Sequence, residues 1–210
     1  MRLQYIVVEG VIGAGKTTLA RKMADRFEAR LLLEQHEANP FLPDFYRDPQ
    51  RYAFQTQLFF LLSRFRQQQE IPQRDLFHTM MIADYLFAKD RIFASVTLEE
   101  REFFLYDKIA SLLEREIIAP DLVIYLQSST ERLMANIRKR GRGYERHITE
   151  DYIRTLNEAY NQFFFNYNAS PLLVVNMNEI DFVADENDFD DLIQQLERPI
   201  SGVQYYSPKK

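Results

Sequence analysis

YIVVEGVIGAGKTTLARKMADRF, residues Tyr5 to Phe27, reads as three elements in succession. Tyr5–Val8 is an apolar, β-branched run of the kind buried on both faces of a parallel sheet. Gly10–Thr17, GVIGAGKT, matches G-x-x-x-x-G-K-[ST] at Gly10, Gly15, Lys16 and Thr17, and TTLARKMADRF continues as a helix. Strand, glycine-rich loop and helix are the context this motif requires. The glycines let successive backbone N–H groups face phosphate oxygens, and the helix N-terminus adds partial positive charge. The expected cradle is Gly10, Gly13, Ala14, Gly15, Lys16, Thr17 and Thr18. Lys16 reaches the β- and γ-phosphates and the Thr17 hydroxyl ligates Mg²⁺.

Outward from this stretch, four more short apolar runs alternate with helical patterns. The runs are Leu31–Leu33, Thr79–Ala83, Leu122–Leu126 and Leu172–Val175. Within 51–69, Leu58, Leu61, Leu62 and Phe65 recur at i, i+3, i+4, i+7, and Leu105, Ile109, Leu112, Leu113 and Ile117 form a second stripe. Residues 185–198 read as a final helix. The alternation predicts an α/β fold, a P-loop NTPase-type doubly wound five-stranded parallel sheet with helices on both faces. No repeat, low-complexity segment or linker divides the chain. One domain is expected over 1–198, then a tail, 199–210, whose Tyr205 and Tyr206 dock on the body or on a partner.

The 210 residues, 46% hydrophobic, suffice for one well-buried core. A net charge of −5 offers no broad basic face, so no nucleic-acid partner is expected. With no cysteine, disulfides and thiolate metal sites are excluded. No apolar run approaches the roughly 20 residues of a membrane span. The first strand starts so early that no signal or transit segment is expected. The composition points to a cytoplasmic protein without a membrane partner.

Three further features carry chemistry. Asp84 leaves the run TMMIA, either as a second Mg²⁺ ligand or as the cap of a helix through YLFAKDRIFA. Arg138, Lys139, Arg140 and Arg142 lie in NIRKRGRGYER, with Gly141 and Gly143 as hinges. They form either a lid over the transferring phosphate, at about 138–147, or a solvated helix end. Glu9 precedes the cradle. A hydroxyl acceptor must lose its proton as its oxygen attacks phosphorus, which makes Glu9 a candidate general base. The alternative is a glutamate exposed at a strand end or paired with a lid arginine.

With those residues assembled, the chain resembles the deoxyribonucleoside kinase family, P-loop enzymes that move the γ-phosphate of ATP to the 5′-hydroxyl of a deoxynucleoside. The likeness runs from EGVIGAGKTT to about LLVVN. Tyr46 in YRDPQR matches the family's Tyr-x-x-Pro-x-Arg. Gln57 and Arg64, seven residues apart, share one helix face. The resemblance implies that Gln57 and Arg64 read the base edge, that Asp90 partners Arg64, and that Tyr46 and Glu145 contact the sugar 3′-hydroxyl. Arg140, Arg142 and Glu145 in RGRGYE match the lid pattern, with Arg138 beside the donor nucleotide. A purine deoxynucleoside and a homodimer through the long helices are the further implications.

The pattern departs from the family at Tyr85 and Leu86, where Arg and Ser follow the acidic residue. That arginine supports the catalytic Glu and the phosphate, so Arg91 or a lid residue is the expected substitute. Two rival readings follow. A monophosphate kinase of the thymidylate type needs extra cations for its acceptor, whereas Tyr46, Gln57, Asp90 and Glu145 are neutral or acidic. A non-catalytic nucleotide-binding subunit is favoured by Tyr85 alone.

Overall fold

The computed structural model describes residues 3–71, 78–178, 180–182 and 185–207. Among these, six strands form one parallel sheet: β1 (Tyr5–Gly10), β2 (Arg30–Leu32), β3 (Met81–Ala83), β4 (Leu122–Gln127), β5 (Leu172–Asn176) and β6 (Val203–Tyr206). Their order is β2-β3-β1-β4-β5-β6. Helices α1 (Lys16–Phe27), α2 (Leu42–Arg47), α3 (Pro49–Gln69), α4 (Lys89–Thr97), α5 (Glu100–Leu113), α6 (Thr130–Arg140), α7 (Glu150–Phe165) and α8 (Glu186–Leu196) cover both faces. Every residue of β1 is buried, as are all of β4 and β5 except their last. That two-sided burial is why these strands are continuous apolar runs rather than alternating ones. No helix among the described residues is long and apolar enough to cross a membrane.

The expected five strands become six, and the extra one comes from the tail. β6 runs parallel to β5, pairing Leu172 with Val203 through Val175 with Tyr206. As an edge strand it alternates, with Tyr205 exposed and Tyr206 buried, so it has no continuous apolar run to announce it. Tyr206 docks on the body: its hydroxyl donates to Asp191 Oδ2 on α8 at 2.6 Å. The last three residues of the tail, 208–210, lie outside the described residues.

The strand order places the site. From β1 the chain goes to β2 on one side, and from β3 to β4 on the other. The crevice of such a sheet opens at the carboxyl ends of strands where the order reverses. Ala83 pairs with both Leu32 and Val7, so β2 and β3 end level with one another while β1 runs on to Gly10. The carboxylates there come from Glu34, Asp84 and Glu9.

The helix expected straight after Asp84 begins later, at Lys89, because Tyr85–Ala88 form a buried turn. Its N-cap is Ala88, without a side-chain bond, so Asp84 caps nothing. The stripe expected through Ile117 ends as helix at Leu113 and continues as a 3-10 turn, Glu114–Glu116.

Candidate active site

The loop after β1 has the conformation its glycines permit. Gly13 has φ +87°, and a Cβ there would stand 2.7 Å from the Leu133 carbonyl oxygen on α6. Gly15, the N-cap of α1, has φ +95°. Asn136 on α6 donates to the Gly13 carbonyl at 2.9 Å and fixes the loop from the side. Lys16 curls over the loop, Nζ donating to the carbonyls of Gly10 at 2.7 Å and Val11 at 3.1 Å. Burial and then the nearby charge of Lys89 push its ammonium pKa down to about 8, against Glu9, Glu34 and Asp84.

Thr17 Oγ1 donates to Asp84 Oδ2 at 2.5 Å, and Asp84 Oδ1 accepts from the Glu34 backbone N–H at 2.7 Å. Two hard oxygen groups side by side at the mouth of the loop suit a divalent cation. Among the described residues no cluster of three or more acidic or histidine side chains surrounds this point. A cation there would complete its coordination with phosphate oxygens and water, as Mg²⁺ does.

One cavity gathers most of the predicted residues. Gly13, Lys16, Thr17 and Asp84 line one end; Tyr46, Gln57 and Arg64 line the other; Arg140, Arg142 and Glu145 close over it. Gly10, Ala14, Gly15 and Thr18 belong to the loop without lining the cavity, and Arg138 is exposed on α6 outside it. Lys139 is also exposed. The two readings of the arginine cluster therefore divide: Arg138 and Lys139 form a solvated helix end, whereas Arg140 and Arg142 face the cavity. Both of the latter bind Glu145, Arg140 through Nε at 3.1 Å and Nη2 at 2.6 Å, Arg142 through Nη1 at 3.5 Å. Tyr144, beside them, lies parallel to Tyr46 with ring centroids 6.2 Å apart.

Glu9 is not among the lining residues. Its side chain is fully buried. Oε1 accepts from Gly10 N–H at 2.9 Å and the Tyr160 hydroxyl at 3.2 Å; Oε2 accepts from Leu86 N–H at 2.6 Å. A fully buried carboxylate outside the cavity lining is poorly placed to take a substrate's proton. It is neither exposed at a strand end nor paired with a lid arginine; it ties β1 to the turn after β3 and to α7.

Besides Asp84 and Glu145, the cavity is lined by a further carboxylate, Glu34, which the sequence reading missed. The signal was the one used for Glu9 and Asp84, an acidic residue just beyond an apolar run, here LLLE. Arg64 donates to its Oε1 through Nε at 2.7 Å and through Nη2. Lys89 donates to Oε2 at 2.9 Å. Burial raises the carboxyl pKa, but the charges of Arg64 and Lys89 outweigh it and hold Glu34 well below the usual carboxylate range. Arg64 Nη1 pairs with Asp90, so Asp90 partners Arg64 as expected while itself lying behind the lining. Gln57 Nε2 donates to Thr97 Oγ1 at 3.1 Å. Arg91 points elsewhere, to Asp107, Ser111 and Glu114, so it does not replace the missing arginine.

A phosphate loop, a carboxylate and a polar pocket in one cavity describe a phosphotransferase, and sequence comparison agrees. The family model for deoxynucleoside kinase matches residues 6–201. The chain belongs to that family. It is 35% identical over 191 residues to the deoxyguanosine kinase of Bacillus subtilis (strain 168), covering 89% of this chain and 92% of that one. It is 32% identical to a deoxyadenosine kinase of Lactobacillus acidophilus, covering 96% and 98%. The structure of deoxyadenosine kinase from M. mycoides with bound dATP matches with TM-score 0.82 at 26% identity, covering 93% of this chain and 100% of that one. The chain is therefore an enzyme of phosphoryl transfer with the P-loop fold.

Proposed function

We propose that this enzyme transfers the γ-phosphate of ATP to the 5′-hydroxyl of a purine deoxynucleoside, deoxyadenosine or deoxyguanosine, in nucleotide salvage. The observation that carries this reading is the position of Glu34. It lines the same cavity as Lys16 and Thr17 on the donor side and Gln57 and Arg64 on the acceptor side. The purine assignment follows the similarity to deoxyguanosine and deoxyadenosine kinases. It also suits Gln57, whose carbonyl and remaining N–H offer one acceptor and one donor to a base edge.

In this reading the 5′-oxygen bonds to the γ-phosphorus as the bond to the β,γ-bridging oxygen breaks, and ADP leaves with that electron pair. The hydroxyl proton goes to Glu34. A phosphoryl transition state is loose and the attacking hydroxyl loses its proton late, so an ionised, weakly basic carboxylate serves. Lys16, Arg140 and Arg142 stabilise charge on the phosphoryl oxygens. Arg140 and Arg142 must first exchange Glu145 for phosphate, which frees Glu145 for the sugar 3′-hydroxyl alongside Tyr46. Thr17 and Asp84 would hold Mg²⁺, which when bound neutralises the β- and γ-phosphates.

Leu62 on α3 and Phe104, Leu105 and Leu112 on α5 are exposed large apolar residues. They support a homodimer through those helices; sedimentation at micromolar protein showing only single-chain mass would refute it. Abundant ATP and a cysteine-free chain support a cytoplasmic location.

The test is ADP release from Mg·ATP with each of the four deoxynucleosides and with thymidine monophosphate, one acceptor at a time. Turnover led by deoxyadenosine or deoxyguanosine is expected. Turnover with thymidine monophosphate alone would make it a monophosphate kinase. ATP binding without turnover on any acceptor would favour the non-catalytic reading.

A further inference from the structure

Lys89 is a lysine almost entirely removed from solvent, 2% exposed, at the first residue of α4. A buried ammonium is costly unless paired, and here the partner is Glu34, a carboxylate that lines the cavity. Its Nζ lies 2.9 Å from Glu34 Oε2 and 5.9 Å from the centre of the Tyr85 ring. Glu34 lines the cavity and Lys89 does not. The ammonium therefore approaches the carboxylate from the protein interior, out of reach of a ligand in the cavity.

Lys89 closes the charge balance, because Arg64 gives Glu34 Oε1 two N–H donors and also pairs with Asp90, one cation facing two carboxylates. It also adds a second anchor, on the other oxygen of Glu34, from a different helix. Arg64 on α3 and Lys89 on α4 hold opposite oxygens, so the carboxylate cannot rotate about its terminal bond without losing one of them. Lys16 on α1 feels the charges of Lys89 and Glu34 together with those of Asp84 beyond β3 and Glu9 within β1.

We propose that Lys89 is a positioning residue for phosphoryl transfer, fixing the plane of the Glu34 carboxylate so that one oxygen meets the acceptor hydroxyl. This rests on the reading of Glu34 as the base. Proton transfer needs the two oxygens within hydrogen-bond reach. A displacement of about 1 Å at the reacting groups costs on the order of 10²-fold in rate.

The experiment compares Lys89→Met, Lys89→Gln, Lys89→Arg and Glu34→Gln in the full-length enzyme, with ATP and the preferred deoxynucleoside. For Lys89→Met the expected result is a fall in kcat on the order of 10²-fold, with KM for both substrates within about threefold. Lys89→Arg, which keeps the charge, should recover kcat to within about tenfold of the wild type. Lys89→Gln decides by the same split if Lys89→Met does not fold. The inference is overturned if kcat is unchanged or KM for ATP rises in step with the loss of kcat. It is also overturned if Lys89→Arg is no better than Lys89→Met, or if neither uncharged variant folds. Near-normal turnover by Glu34→Gln would remove the base reading itself. An inactive Glu34→Gln beside an unaffected Lys89→Met would remove only the role of Lys89.

Discussion

Replacing Glu9 by Gln and Glu34 by Gln, one at a time, should damage different properties. Glu9 accepts three hydrogen bonds with no exposure to solvent. A glutamine has one acceptor oxygen. Placed at Oε1 it keeps Gly10 N–H and the Tyr160 hydroxyl, but its NH₂ group then faces the Leu86 N–H, donor against donor. A buried donor left without a partner costs about 1–3 kcal/mol. At roughly 2–4 °C per kcal/mol for a chain this size, Tm should fall by several degrees. The folded fraction should turn over within about threefold of the wild type, since Glu9 does not line the cavity. Glu34→Gln should instead slow turnover by roughly 10²–10⁴-fold, about 3–5 kcal/mol, while ATP binding persists. Thermal unfolding and steady-state ADP release on both proteins decide the matter. A Glu9 variant of normal Tm and severely reduced kcat, beside an active Glu34 variant, would refute this assignment.

Gly13→Ala should abolish tight ATP binding, measured by calorimetry, because the new Cβ meets the Leu133 carbonyl at 2.7 Å with φ at +87°. Thr97→Val removes the acceptor for Gln57 Nε2. It should raise KM for the deoxynucleoside by roughly 3–10-fold, the worth of one such bond, with KM for ATP unchanged. Tyr206→Phe removes the bond to Asp191 and should lower stability in urea by about 1–3 kcal/mol, leaving kcat per folded enzyme as it was. Thr17→Val should increase the Mg²⁺ concentration needed for half-maximal turnover, read from a titration of the metal.

The sheet was legible wherever burial is two-sided. β1, β4 and β5 each carry a continuous apolar run because helices cover both faces, and such a run is visible without any partner in view. β6 carries the alternation of an edge and was hidden in the tail. The phosphate loop was legible because its glycines answer to local backbone geometry, which the chain states within eight residues. Glu34 obeys the same strand-end rule as Asp84, yet nothing local ranks three acidic residues at three strand ends. Only the folded sheet shows that Glu34 and Asp84 line the cavity, Asp84 against Thr17, whereas Glu9 turns inward to Gly10, Leu86 and Tyr160. Lys89 was illegible for a stronger reason. Its partner lies 55 positions away, and a lysine in an amphipathic helix normally points to water. α3 misled in the same way: its buried residues include Gln57, Arg64, Gln67 and Gln68, so its polar face looks into the protein rather than out.

The turn between β3 and α4 joins the two glutamates. Glu9 Oε2 holds the Leu86 N–H; the Leu86 carbonyl accepts from the Lys89 backbone N–H at 3.1 Å; and Lys89 Nζ reaches Glu34. Groups sharing such a network lose free energy non-additively, with coupling of about 0.5–3 kcal/mol. A double-mutant cycle on stability with Glu9→Gln and Lys89→Arg should therefore fall short of the sum of its parts, because whichever change comes first has already loosened the turn on which the other depends.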